Sequence, residues 1–221
     1  MPDSVRVLGF DTSAAYCAAA LFSDGEVVAT RHEDMARGQA ERLMPLLAEV
    51  LDEAGVAYAN LTAIGVGVGP GNFTGVRLSV SAARGLALAL GIPTVGVSLM
   101  DALALGTDGP LLTSLDARRD QIYLQRHGRG AVPDLDLHLA DLAGLPAELS
   151  SHPGMRCIGH RAAELASSIG GVAGPAAYAP ASAIARIAAE RSGGDAPRPA
   201  PIYIRPADAA PPRQAAPVLL P

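Results

Sequence analysis

The apolar positions of this chain fall into runs whose spacing changes from place to place. Residues 5–10 are apolar and partly β-branched, and they end in Asp11-Thr12-Ser13. Residues 18–22 form a second apolar run closed by Ser23-Asp24-Gly25, and residues 27–31 form a third. This spacing predicts a strand hairpin with a third strand beside it. Between residues 39 and 54 the period becomes helical. Leu43, Leu46, Leu47, Val50, Leu51 and Ala54 recur every three or four residues, with Glu41, Glu49, Asp52 and Glu53 on other faces. Pro45 inside this pattern should kink the helix or mark its first turn, and Gly55 should end it. Residues 61–68 are nearly all apolar, which predicts a strand covered on both faces. Pro70 and Gly71 fit a type II turn, and Asn72 or Thr74 can cap a helix over 75–90. Ser79, Ser81, Ala82, Ala83, Gly85, Ala87 and Ala89 make that helix rich in small side chains, which suits close packing. A short strand over 94–97 and a helix from Ser98 to about 105 follow.

The clearest internal boundary lies at 106–110. Beyond it a strand over 111–115 ends in Asp116, with a neighbour over 121–125, a strand over 155–158, and helices over 161–169 and 182–191. Residues 134–148 carry no clear period. The tail 206–221 is mostly Ala and Pro and is expected to form no core. Each half opens with a strand ending in aspartate, an organisational repeat with little sequence identity. The element order predicts an α/β class with mixed sheets flanked by helices. Residues 1–105 and 106–205 are the expected domains.

Residues 65–77 hold the most chemistry. A strand, a Gly-Pro-Gly loop and a helix start form a unit that can offer backbone N–H groups to an anion. The 17 basic residues are all arginine, so a phosphate loop that depends on lysine is excluded. Hydrophobic residues make up 49% of the chain and aromatics 4%, a balance that suits small-residue helices lying close on sheets. The net charge of −5 argues against autonomous nucleic-acid binding, which rests on neutralising phosphates. Two distant cysteines, Cys17 and Cys157, form no disulfide framework and point to a reduced, cytoplasmic setting. The first residues lack signal-peptide form. The apolar stretch 85–105 is interrupted by Gly91, Pro93 and Asp101, so no membrane span is expected.

The segments Phe10-Asp11-Thr12-Ser13, Gly69-Pro70-Gly71-Asn72-Phe73-Thr74-Gly75-Val76-Arg77, Arg84-Gly85-Leu86-Ala87, Leu115-Asp116-Ala117-Arg118 and Pro201-Ile202-Tyr203-Ile204-Arg205 resemble the bacterial TsaB (YeaZ) family. The resemblance runs from about residue 5 to 206 and is strongest before 105. It implies two tandem RNase H-like domains of the actin/Hsp70/sugar-kinase superfamily. It also implies a scaffold subunit required for threonylcarbamoylation of the adenosine beside the anticodon (position 37) in ANN-decoding tRNAs. In that family the subunit is not the catalyst. It pairs with the paralogue TsaD, recruits the ATPase TsaE, forms a homodimer when alone, and meets tRNA only through the complex.

Few side chains of this sequence offer chemistry of their own. His32, His127, His138, His152 and His160 are scattered, and Leu99 and Leu103 stand where the catalytic paralogue has a metal-binding histidine pair, so no metal is expected. Asp11, Thr12 and Ser13 match the first phosphate-contacting strand end of the superfamily and are candidate contacts in a degenerate nucleotide cleft. Asp116-Ala117-Arg118-Arg119 puts bulky cations where glycine would admit a phosphate. No cofactor of its own is expected, with ATP or ADP left to an interface shared with partners. Two carboxylates, Asp11 and Asp116, are too few for a two-metal nuclease. Cys17 reads as a buried, inert thiol. Leu43, Met44, Leu47 and Leu51, with Arg77, Ser81 and Arg84, make the expected partner surface; within it Leu43 also serves the sheet side, with Leu46 and Val50. The competing readings are a free-standing ATP-dependent kinase of the same superfamily and a binding protein outside tRNA modification.

Overall fold

The computed structural model describes residues 4–129, 135–145, 149, 154–194 and 197–204. The expected tail 206–221, His152 and Arg205 lie outside them, as does part of the 134–148 segment. The first three strands are β1 (Arg6–Asp11), β2 (Tyr16–Ser23) and β3 (Glu26–Asp34), followed by α1 (Gln39–Glu53). Then come β4 (Ala63–Gly67), α2 (Phe73–Leu90), β5 (Thr94–Val97) and α3 (Leu99–Ala104). The second half contains β6 (Leu111–Asp116), β7 (Gln121–His127), β8 (Leu135–Asp141), β9 (Arg156–Gly159), α4 (Ala162–Ile169), β10 (Val172–Gly174) and α5 (Pro180–Arg191). The helices and strands expected from periodicity are present. Strand β8, inside the segment without a clear period, and the three-residue β10 were not anticipated.

Two five-stranded mixed sheets result, ordered β3-β2-β1-β4-β5 and β10-β9-β6-β7-β8. Counted from the first strand of each half, these are the same order. In both sheets the central strand pairs antiparallel with its hairpin partner and parallel with the strand on its other side. The organisational repeat is therefore a repeat of topology.

Alternation in β1 and β4 decides which helix covers which face. Leu8, Phe10, Ile64 and Val66 point into a core shared with α1 and α2. Val7 and Ala63 point the other way, into a core with Ala183, Ile184, Ile187 and Ala188 of α5. Helix α5 lies far in sequence from this sheet, yet it packs on β1, β2 and β4. The expected boundary at 106 separates the two sheets but not the helices, because the last helix returns to the first sheet. Its approach is close. A Cβ on Gly9 would stand 2.6 Å from the backbone nitrogen of Ala185, and one on Gly65 would stand 2.7 Å from the Ala188 Cβ. Small residues on both surfaces permit this contact, and their scarcity of bulk matches the low aromatic content.

Helix α1 corrects part of the expected partner surface. Leu43, Leu46, Leu47, Val50 and Leu51 are all buried in the first core. Positions i, i+3, i+4, i+7 and i+8 form one apolar stripe rather than two faces. Leu43, Leu47 and Leu51 therefore serve this chain's own core, where full burial of each contributes about 1.5–3 kcal/mol. Met44 is exposed. Pro45 sits within α1, which begins six residues earlier, so it marks no first turn. Arg42 ties the helix to β3 by donating to both Glu33 oxygens and to both oxygens of Glu49.

Candidate functional site

The turn from β1 to β2 and the loop from β4 to α2 meet at the end of the first sheet. Asp11, Thr12 and Ser13 are all buried there. Asp11 Oδ2 accepts hydrogen bonds from the Ser13 amide at 3.2 Å, the Ser13 hydroxyl at 2.8 Å and the Tyr16 hydroxyl at 2.7 Å. Asp11 Oδ1 is buried with no hydrogen-bond partner among the described residues. Burial is the main influence on this carboxyl and raises its pKa, while the bonds from Tyr16 and Ser13 pull it back down. Tyr16 rises well above its ordinary value, first through burial and then through the adjacent Asp11 charge.

The glycine loop closes over this turn. Thr12 Oγ1 donates to the Gly75 carbonyl at 2.7 Å, and the Asn72 amide donates to the Ser13 carbonyl at 2.6 Å. A Cβ on Gly67 would collide with the Asp11 carboxylate, one on Gly71 with the Ser13 carbonyl, and one on Gly75 with the Thr12 carbonyl. These three glycines let the loop lie against the turn. Asn72 caps α2 by accepting from the amides of Thr74 and Gly75. The Leu99 amide donates to the Gly69 carbonyl.

Two expectations change here. The turn is not type II, because the positive φ sits at Gly69 (90°) and not at Gly71, and the Gly69-Pro70 peptide is cis. The loop also presents fewer free amides than a phosphate cradle would, since Asn72 donates to Ser13 and the first amides of α2 are capped by its side chain. Asp11, Thr12 and Ser13 come together as expected, but as a sealed internal contact rather than the wall of an open cleft. Tyr16 was missed; its signal is a phenol placed five residues after the aspartate, at the head of the returning strand.

The second sheet has a counterpart in the turn from β6 to β7, and it is exposed. Asp116 Oδ1 accepts from the Arg118 amide at 2.7 Å, and His160 Nε2 stands 3.9 Å from the same oxygen. Arg118, Arg119 and Asp120 all have positive φ, at 61°, 53° and 59°. Gly170 closes α4 with φ 70°, and a Cβ on Gly171 would stand 2.5 Å from the Met155 carbonyl. Both glycines have structural work in the turn from α4 to β10. Cys17 and Cys157 are free and buried, and burial pushes each thiol up to about 11. Among the described residues, no three histidine, cysteine or acidic side chains are grouped so as to hold a metal ion. Leu99 is buried beside α5. No helix among the described residues is long and apolar enough to cross a membrane.

The remaining expected surface residues lie on α2. Arg77 and Ser81 are exposed, whereas Arg84 is half-buried. The Arg77 guanidinium lies 3.6 Å from the Phe73 ring centre, and its Nε donates to the Tyr203 hydroxyl at 2.7 Å. Arg84 donates to the Pro199 carbonyl, and the Ile202 amide donates to the Val68 carbonyl at 2.8 Å. Both arginines thus hold the segment 197–204 against α2. Phe73, Tyr203 and Leu88 are exposed apolar residues that sequence reasoning missed, Leu88 at 85% exposure. Their signal was apolar character off the buried stripe. Phe73, Arg77, Ser81 and Leu88 run along one side of α2, and Gly85 between the last two has open space where a Cβ would stand.

Comparison with known proteins gives consistent matches. A family model described as TsaD, tRNA N6-adenosine threonylcarbamoyltransferase, matches residues 26–178, more than half of the chain. The tRNA threonylcarbamoyladenosine biosynthesis protein TsaB of Escherichia coli strain K12 is 35% identical over 130 residues, covering 57% of this chain and 56% of that protein. The Bacillus subtilis protein of the same name is 34% identical over 146 residues, covering 62% of this chain and 64% of that protein. The matched chain thus spans little more than half the length of these relatives. YeaZ from Pseudomonas aeruginosa superposes with a TM-score of 0.69 at 26% identity, covering 90% of this chain and 99% of that one. Component A of the (R)-2-hydroxyglutaryl-CoA dehydratase of Acidaminococcus fermentans shares the fold alone, with a TM-score of 0.55 at 11% identity over 86% of this chain and 100% of that one. With the family model, these relatives and the doubled sheet topology in agreement, this chain belongs to the TsaD-type tRNA N6-adenosine threonylcarbamoyltransferase family, among its TsaB/YeaZ members.

Proposed function

We propose that this protein is a non-catalytic subunit in threonylcarbamoylation of the adenosine beside the tRNA anticodon. It acts in the cytoplasm by pairing with a TsaD-like paralogue and helping to recruit a TsaE-like ATPase, and it self-associates when alone. The observation that carries this reading is the sealed contact between the Asp11 turn and the glycine loop. In a working phosphotransferase of this fold those groups face the nucleotide; here they are buried and bonded to one another. Any ATP or ADP would be held at an interface with a partner.

The surface that suits pairing is the exposed side of α2, with Phe73, Arg77, Ser81 and Leu88, together with Met44 of α1. A half-apolar strip with a cation and no bulk at Gly85 admits a second helix at short range. The chain's net charge of −5 gives Arg77 an electrostatic role in orientation more than in affinity.

The test is tRNA modification in vitro with the other subunits supplied, with and without this chain. A strict requirement, with no ATP turnover by this chain alone, is expected. Turnover by the isolated protein, lost in Asp11→Ala, would replace this reading with the kinase one. A double variant, Met44→Glu with Leu88→Glu, tests the surface. Both side chains are exposed, so the melting temperature should stay within about 2–3 °C, while co-purification with the paralogue and self-association are lost. Retention of both associations would move the interface elsewhere.

A further inference from the structure

A cavity of about 260 Å³ opens where the two halves of the chain are joined. Its wall includes Phe22 of β2, Gly25 of the β2–β3 turn, Leu105 after α3, Tyr178 before α5, and Arg186 and Glu190 of α5. Both connections between the sheets therefore border it. Gly106 shapes one side: its φ is 74°, and a Cβ there would stand 2.8 Å from the Tyr178 ring.

Arg186 is the chemical centre of this cavity. Its guanidinium carbon lies 4.8 Å from the Tyr178 ring centre and 5.7 Å from that of Phe22. Nη1 donates to the Gly25 carbonyl at 3.5 Å, the outer limit of a hydrogen bond. Nε is buried with no partner among the described residues. An arginine carries five N–H donors in a planar fork that matches a carboxylate, and among the described residues this one makes a single weak bond. Glu190 lies one turn further along α5 and borders the same space. No ion pair joins it to Arg186 among the described residues, and the Arg-before-Glu order is the less favourable one on a helix. The cavity thus presents an underused cation caged by two rings, an apolar wall from Leu105, and a separate carboxylate.

We propose that this cavity is a binding site for a small amino-acid-like zwitterion with an apolar side chain. Arg186 takes the carboxylate, Glu190 takes the ammonium, and the apolar body lies between Phe22, Tyr178 and Leu105. A volume near 260 Å³ accommodates a molecule of that size and lies just below the usual range for drug-sized ligands. Binding there would touch both inter-sheet connections at once. The site stands apart from the α2 surface and does not depend on the proposed role in tRNA modification.

Three probes separate the contributions: L-phenylalanine with both charges, phenylacetate with the carboxylate alone, and phenethylamine with the ammonium alone. Titration of the full-length protein, followed by NMR shifts of residues around Tyr178, should rank them in that order. Arg186→Gln should weaken phenylalanine and phenylacetate at least tenfold. Glu190→Gln should abolish the advantage of phenylalanine over phenylacetate. If Arg186→Gln does not fold, Tyr178→Ala serves instead, since it opens the cage from a connecting segment and should weaken all three probes. No saturable shift with any probe at 10–20 mM, roughly the weakest useful affinity for ligands this small, overturns the proposal. Binding that is indifferent to Arg186→Gln, or to Tyr178→Ala in its place, does the same.

Discussion

Two turns occupy equivalent places in the repeated topology and have opposite fates. The turn after β1 buries Asp11, Thr12 and Ser13 and bonds them to a loop of the same sheet. The turn after β6 leaves Asp116, Arg118, Arg119 and Asp120 in solvent, with three successive residues in the left-handed region. The difference lies in the neighbours. Gly67, Gly71 and Gly75 provide three bare positions that let a loop close over Asp11. The strand equivalent to β4 in the second sheet is β9, which ends at Gly159, and there His160 and Arg161 follow in place of a run of glycines that could close over the β6 turn. A shared topology therefore fixes where a strand-end carboxylate stands, and the small residues of the next loop decide whether it is structural or available.

Adding bulk to the first turn should have the largest effect. Gly75→Ala drives a methyl group into the Thr12 carbonyl, and a backbone contact cannot rotate away. A loss of about 3 kcal/mol or more is expected in urea unfolding. Gly85→Ala on the same helix is the control, because nothing lies within 4 Å of its Cβ; it should stabilise by about 0.5–1 kcal/mol. Equal costs at both positions would show that the seal is not what makes Gly75 necessary.

The second test uses pH. Burial raises the Asp11 pKa in the folded protein above its value in the unfolded chain. The folded state then binds the proton more tightly, so this group's contribution is fully present below the ordinary carboxylate range. It is lost as pH rises through the folded value. Asp11→Asn, neutral at every pH, should remove that dependence. Measured as unfolding midpoints from pH 3 to 8, the wild type should lose ground to the variant as pH increases. Parallel curves would mean that the bonds from Tyr16 and Ser13 cancel burial, and a wild type that gains on the variant as pH rises would mean that they outweigh it.

The smallest effects belong to that second turn. Arg118→Gly relieves a left-handed arginine but adds freedom to the unfolded chain, so a net gain of no more than about 1 kcal/mol is expected. Asp116→Ala removes one solvent-exposed bond to the Arg118 amide and should cost less than about 1 kcal/mol. A large loss in either variant would make the exposed turn as structural as the buried one.

Much of this was legible in the sequence, and the misreadings have physical causes. Period 2 and period 3.6 marked most strands and helices, Ser98 marked one helix start, and of the two candidate caps for α2, Asn72 rather than Thr74 takes the role, so that α2 begins two residues ahead of the expected start. The stripe on α1 was split in two because leucine counts do not reveal how wide a groove the sheet and α2 together offer. Strand β10 is only three residues long, too short to carry a period. The docking of α5 on the first sheet was invisible to local pattern, since an Ala-rich stripe fits any flat partner; the glycines at 9 and 65, interrupting otherwise apolar strands, were the available hint. The closure over Asp11 was also hidden, because a Gly-rich loop looks the same whether it holds a phosphate or its own chain.

The return of α5 to the first sheet has a consequence for biosynthesis. While the polypeptide emerges from the ribosome, one side of that sheet, including Val7, Ala63 and the bare backbone at Gly9 and Gly65, lacks the α5 residues that complete its core until residue 191 has been made. The leading half cannot mature ahead of the trailing half, so nascent chains stalled near residue 106 should stay protease-sensitive and call on chaperones, and only those extended past α5 should resist digestion.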